Sequence, residues 1–125
     1  MSTGITIGAN YLGDDKTGFL VWAPFRERVE VHVKTPFEKT LPLEKNERGY
    51  FSTIAEDMPA GSCYFYRLDG KSEYPDPASR FQPQGVHGPS QVTNPDFPWE
   101  DSRWSGLPLQ EYIIYELHTG TFTPE

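Results

Sequence analysis

Cysteine is nearly absent. Cys63 stands alone among 125 residues, so no disulfide can form within the chain, and a reducing, cytoplasmic setting is expected. Long apolar runs are absent too. None approaches the ~20 residues of a membrane-spanning helix, and no membrane partner is expected. The opening residues Met1-Ser2-Thr3-Gly4 carry neither a basic nor an apolar stretch, so no secretory leader is expected. Basic residues are in deficit, 11 against 18 acids, for a net charge of −7. With no basic cluster, nucleic acid is excluded as a partner. The glycines never fall in a G-x-x-x-x-G-K pattern, so there is no phosphate loop. The histidines His32, His87 and His118 lie far apart and, with one cysteine, give no metal-ligand spacing. Neither a metal nor a cofactor is expected. The chain is also too short for a whole (β/α)8 barrel, which needs about 250 residues.

What the sequence does hold is aromatic residues, 14% of the chain, together with 12 prolines and 11 glycines. The first part reads as strands. Gly18-Phe-Leu-Val-Trp-Ala23 is a short apolar run closed by Pro24, which suits a buried strand. In Val29-Glu-Val-His-Val-Lys34 the valines face one way, and Glu30, His32 and Lys34 face water. Thr40-Leu-Pro-Leu43 is an edge strand at best, because Pro42 cannot donate to a ladder. Tyr50-Phe-Ser-Thr-Ile54 and Ser62-Cys-Tyr-Phe-Tyr-Arg-Leu68 follow. Turn signals separate them at Lys45–Gly49, Met58–Gly61 and Asp69-Gly70, the last a tight hairpin candidate. No stretch shows sustained helical periodicity. The pattern predicts an all-β chain, an immunoglobulin-like β-sandwich over residues 1–80.

The texture then changes. Residues 71–125 hold 8 acids and 3 bases, against 10 and 8 in residues 1–70. Seven prolines between Tyr74 and Pro108 forbid regular ladders, while Phe81, Phe97, Trp99 and Trp104 sit among them. Disordered linkers are poor in aromatics. The segment over 81–110 is therefore expected to be an extended Pro/aromatic-rich strap, pinned to a surface by its rings. Glu111-Tyr-Ile-Ile-Tyr-Glu-Leu-His118 is strand-like again and opens a last segment, 111–125.

Few residues suggest chemistry. Asp14-Asp15 and Glu56-Asp57 read as solvated loop charges. Asp76, between prolines, is placed to cap local backbone groups. Cys63 lies in an apolar strand without a base beside it and reads as buried and inert. His87, in Gly85-Val-His-Gly88, suits a turn or a contact to another domain. His118 ends a strand, where barrels place active-site residues. Trp22, Tyr50, Phe51, Tyr64 and Tyr66 are sugar-binding candidates by type, since apolar pyranose faces pack on aromatic rings. A small sandwich also needs large rings inside, and Trp22 and Phe65 are expected in the core. Trp99 and Trp104 are expected to anchor the strap.

Three motifs together carry a resemblance. Phe19-Leu-Val-Trp-Ala-Pro24 resembles the opening strand of the N-terminal domains of isoamylase and branching enzymes in glycoside hydrolase family 13. Tyr74-Pro-Asp-Pro-Ala-Ser-Arg-Phe-Gln-Pro-Gln-Gly-Val-His-Gly-Pro-Ser90 is similar to the maltooligosyltrehalose trehalohydrolase branch of that family. Ile114-Tyr-Glu-Leu-His-Thr-Gly-Thr-Phe-Thr-Pro-Glu125 resembles the start of the family's catalytic barrel. The resemblance implies an early-set sandwich related to carbohydrate-binding module family 48, a linker, and over 111–125 the first strand of a (β/α)8 barrel. It implies the N-terminal piece of an enzyme that hydrolyses the α-1,4 bond beside the trehalose end of maltooligosyl trehalose. The mechanism would be retaining, with an aspartate nucleophile and a glutamate acid/base beyond Glu125, so this chain is expected to be inactive. The implied partner is the chain's own catalytic domain, with Arg80, His87, Trp99, Trp104, Tyr115 and His118 as interdomain contacts. An α-glucan is the second partner it implies. A stand-alone glucan-binding module, and the N-terminal domain of a debranching or branching enzyme, stay open as alternatives.

Overall fold

The computed structural model describes residues 4–124. Met1–Thr3 and Glu125, at the outer limits of the expected sandwich and barrel-strand segments, lie outside the described residues. Two antiparallel sheets pack face to face. The first runs β1 (Gly8–Gly13), β2 (Lys16–Trp22), β6 (Tyr50–Ala55) and β5 (Glu44–Lys45), in the order β1-β2-β6-β5. The second runs β4 (Lys39–Pro42), β3 (Val29–Thr35), β7 (Cys63–Leu68) and β8 (Ser72–Tyr74), in the order β4-β3-β7-β8, with β9 (Ser90–Gln91) also on β7. This is the expected immunoglobulin-like sandwich.

Alternation explains most of the core. Val29, Val31 and Val33 of β3 point inward and are fully buried. Opposite them come Phe19 and Val21 of β2, and Phe51 and Ala55 of β6. Phe19 meets Tyr64 edge to face at 4.9 Å and Tyr66 at 6.5 Å, so three rings bridge the two sheets. Pro42 lies on the edge strand β4, where its missing N–H breaks no inner ladder.

The same alternation corrects two core expectations. Phe19 and Val21 point inward, so Trp22, next along β2, points outward and is 57% exposed. Phe65 lies between inward-facing Tyr64 and Tyr66 and is half-buried on the outer side of β7. Strand β1 lies outside the runs read as strands from the sequence. It pairs with β2 through a two-residue hairpin whose Asp14 and Asp15 both have positive φ, which matches the twist of the strands. The Asp69-Gly70 turn forms as expected, both residues at positive φ, with Lys71 N–H bonded to the Leu68 carbonyl at 3.0 Å.

The sandwich draws on residues well past 80. Strand β9 extends the edge of β7, Val92 is fully buried, and its N–H donates to the Ser62 carbonyl at 2.9 Å. Residues 94–124 are exposed apart from half-buried Gly106. The strand-like run Glu111–His118 forms no strand among the described residues. A 3-10 turn covers Leu109–Glu111 and a single helical turn, α1, covers Thr119–Phe122. A strand needs a neighbour for its N–H and C=O groups, and here the run has none. No helix among the described residues is long and apolar enough to cross a membrane.

Candidate functional surfaces

The two outer faces of the sandwich differ in chemistry. On the β4-β3-β7-β8 face, His32 is only 6% exposed, although its strand pattern puts it on the wet side. Glu38, from the β3–β4 turn, accepts from its Nε2 at 2.8 Å, and Glu73 of β8 lies against its Nδ1. Arg67 of β7 donates to Glu73 through Nε at 3.0 Å and Nη2 at 2.7 Å. Lys34 adds an ammonium 3.1 Å from Glu38. Hydrogen bonds from Lys34 and His32 hold the Glu38 carboxyl below its ordinary value. Burial pushes Glu73 up, but hydrogen bonds from Arg67 and His32 outweigh it, and the net shift is downward. This face is polar, and its charged groups bond to one another.

The β1-β2-β6-β5 face is built from Leu20, Trp22, Tyr50, Ser52 and Ile54. The register sets Trp22 opposite Tyr50 and Leu20 opposite Ser52. The Trp22 and Tyr50 rings lie 6.5 Å apart, tilted by 45°. The indole N–H donates to the Arg48 carbonyl at 3.1 Å, which fixes the ring. The β5–β6 turn is fixed as well: Asn46 Oδ1 accepts from the N–H groups of Arg48 at 2.9 Å and Tyr50 at 3.0 Å. Beside the ring pair lies an open trough lined by Leu20, Glu44, Asn46, Ser52 and Ile54.

Of the sugar-binding candidates, Phe51, Tyr64 and Tyr66 are buried, while Trp22 and Tyr50 share this outer face. Tyr64 donates its hydroxyl to Asp76 Oδ2 at 2.6 Å. Burial, then the neighbouring Tyr66 and Asp76, push the Tyr64 hydroxyl far above its ordinary range. Asp76 caps local backbone as expected, through Oδ1 to Ala78 N–H at 2.8 Å.

The expected contact residues do not form one cluster. Arg80 donates to the Ala9 carbonyl of β1. His87 occupies a turn closed by Gly88 N–H to the Gly85 carbonyl at 2.9 Å, and is exposed. Trp99 and Trp104 are 72% and 65% exposed. Trp99 packs edge to face on Phe97 at 4.6 Å, so these rings pin the strap to no surface of the sandwich. Tyr115 and His118 are exposed beside Ile113, which is 99% exposed. The His32 network escaped sequence reading, since Glu73 lies 41 positions from His32 and only the β7–β8 hairpin brings it back.

Residues 6–85 match the model of carbohydrate-binding module 48, the isoamylase N-terminal domain. The malto-oligosyltrehalose trehalohydrolase of Saccharolobus solfataricus is 40% identical over 91% of this chain and 20% of its own length. That of Deinococcus radiodurans is 47% identical over 95% of this chain and 19% of its own. A crystal structure from Salmonella typhimurium, assigned as an alpha amylase, superposes with a TM-score of 0.79 at 32% identity, covering 95% of this chain and 20% of that one. The chain thus spans about a fifth of the length of the curated relatives it matches.

Proposed function

Because the chain belongs to the carbohydrate-binding module 48 (isoamylase N-terminal domain) family, we propose that it is the non-catalytic N-terminal domain of a family 13 glycosidase. That enzyme hydrolyses the α-1,4-glucosidic bond next to the trehalose end of maltooligosyl trehalose and releases trehalose. The observation that carries this reading is the likeness to named trehalohydrolases along nearly the whole chain, strap included. The domain packs on the catalytic barrel and helps to shape its substrate cleft. Arg80, His87, Trp99, Trp104, Tyr115 and His118 are its contacts there.

Two features support a packing role. The carboxylates best placed for chemistry, Glu38 and Glu73, are held by Lys34, His32 and Arg67, and a carboxyl held below its ordinary value is a poor general acid. In addition, Ile113, Ile114 and Tyr115 form an exposed apolar run, which marks a surface that another body covers. In the complete enzyme, 111–125 supplies the first barrel strand, beside neighbours that saturate its backbone.

The test is trehalose release from maltotriosyl trehalose, by the chain alone and by the product of the uninterrupted reading frame. None is expected from the chain, and release is expected from the longer product. Release by the chain alone, or a longer product that cleaves or builds only branched glucan, overturns the proposal.

A further inference from the structure

We infer that Phe25, at the end of the sandwich away from the strap, is an anchor that seats in an apolar socket of the catalytic domain in the same chain. The inference rests on the proposed function only for there being such a domain.

Phe25 lies in the loop between β2 and β3 and is 94% exposed. On a slack loop such a ring would collapse onto the nearest apolar surface. Here the backbone on both sides of it is tied down, and the ring stays out. Lys45 Nζ donates to the Pro24 carbonyl at 3.0 Å and to the Arg26 carbonyl at 2.6 Å. Asp69 Oδ1 accepts from the N–H groups of Glu27 and Arg28, both at 3.0 Å. Arg26 N–H closes a turn on the Ala23 carbonyl at 3.0 Å. Beside the ring are two hollows that share Asp69, one lined also by Arg28, the other by Arg26 and by Tyr74, which is 54% exposed. Aromatic and arginine side chains on a fixed frame are the groups that dominate protein interfaces, because little freedom is left to lose on docking.

Size and position select the occupant. A buried phenylalanine covers only ~150–250 Å², far below the ~1,200–2,000 Å² of a stable contact between free proteins. A second copy or a separate protein is therefore poorly held by this loop. A body already tethered by the chain needs much less, since the tether supplies an effective concentration in the millimolar range. The strap leaves the sandwich beside the start of β7, where Val92 N–H bonds to the Ser62 carbonyl. The Phe25 loop is tied to Asp69, just past the other end of β7, about 20 Å away over six residues. A single tether leaves two domains free to swivel. A second hold at the far end fixes their orientation.

The experiment places photoreactive p-benzoylphenylalanine at position 25 of the product of the uninterrupted reading frame. Irradiation of a dilute sample should join position 25 to a residue beyond 125 of the same molecule, as mapped by mass spectrometry. A link to another copy, a link within the sandwich, or no link overturns the anchor. Phe25→Ala gives an independent reading. It should leave the melting temperature of the present chain unmoved, because the ring covers almost nothing there. In the longer product it should raise the rate of tryptic cutting after exposed Arg103 about tenfold. Equal destabilisation in both proteins, or unchanged cutting in the longer one, also overturns the anchor. Trehalose release is read separately: release without a link overturns the anchor alone, and a link without release overturns the assigned reaction alone.

Discussion

The Asp76 carboxylate takes the Tyr64 hydroxyl at 2.6 Å and the Ala78 N–H at 2.8 Å, while its own N–H donates to Ser90 Oγ at 2.9 Å. All of this happens at 3% exposure. Tyr66, equally buried beside it, leaves its hydroxyl without a hydrogen-bond partner. Removing a bonded partner strands a buried group, whereas removing an unbonded hydroxyl strands nothing. Tyr64→Phe should therefore cost about 2 kcal/mol and Asp76→Ala about 3 kcal/mol, while Tyr66→Phe stays within about 0.5 kcal/mol of the parent. Urea unfolding reads all three, and equal losses for the two tyrosine variants would contradict the assignment. A second residue-scale expectation concerns pH. Glu38 and Glu73 have folded values below the ordinary 4.5. The unfolded chain thus binds protons first as pH falls, and the stability these groups contribute is complete above that value and lost below it. Glu73→Gln should flatten the fall of the urea midpoint between about pH 5 and pH 3. An unchanged slope would show that the His32 network carries no such linkage.

At the scale of elements, the β5–β6 hairpin depends on Gly49. Its φ is +83°, and a Cβ there would stand 2.7 Å from Cα and Cβ of Pro24. Its carbonyl also accepts the Ala23 N–H at 3.0 Å, which ties the hairpin to the end of β2. The contact is with a rigid proline, not with a flexible tip. Gly49→Ala should cost about 2 kcal/mol, more than the ~1 kcal/mol of an ordinary glycine loss, because strain and clash add. A thermal shift no larger than that of Gly13→Ala, which meets open space, would argue otherwise. The elements also show what a sequence can reveal. Strands β2, β3, β6 and β7 carry dense apolar residues or strict alternation, and both were readable. Strands β1, β8 and β9 are short, glycine-bearing or polar, and exist because a neighbour offers a ladder. The same limit explains Trp22, since an unbroken apolar run hides which face looks outward. It explains His32 as well: alternation put it on the solvent side, and only the turn carrying Glu38 and the strand carrying Glu73 cover it.

For the whole molecule, the limit of the folded unit is the decisive quantity. The change of texture from about Tyr74, together with the family resemblance, put that limit near residue 80. Yet the chain returns: Gln91 N–H donates to the Phe81 carbonyl at 2.8 Å, Gly61 N–H donates to the Val92 carbonyl at 2.8 Å, and Ser90 is fully buried against Asp76. A chain ending at Arg80 loses the β9 ladder, the Ser90 bond to Asp76 and the burial of Val92. Those losses come to at least about 4 kcal/mol, from about 2 for the valine side chain and about 1 each for the freed Asp76 N–H and Ser62 carbonyl, before the β9 ladder is counted. That is a large part of the 5–15 kcal/mol that such domains possess. Among the described residues, a chain ending at Thr93 loses only exposed ones and half-buried Gly106, so its melting temperature should match that of the full chain. Amide exchange should draw the same line, slow through β2, β3, β6 and β7 and fast through Ile113–Phe122. If the Arg80 truncation melts with the parent, or if Ile113–Phe122 exchanges as slowly as β3, the folded unit ends elsewhere than Val92.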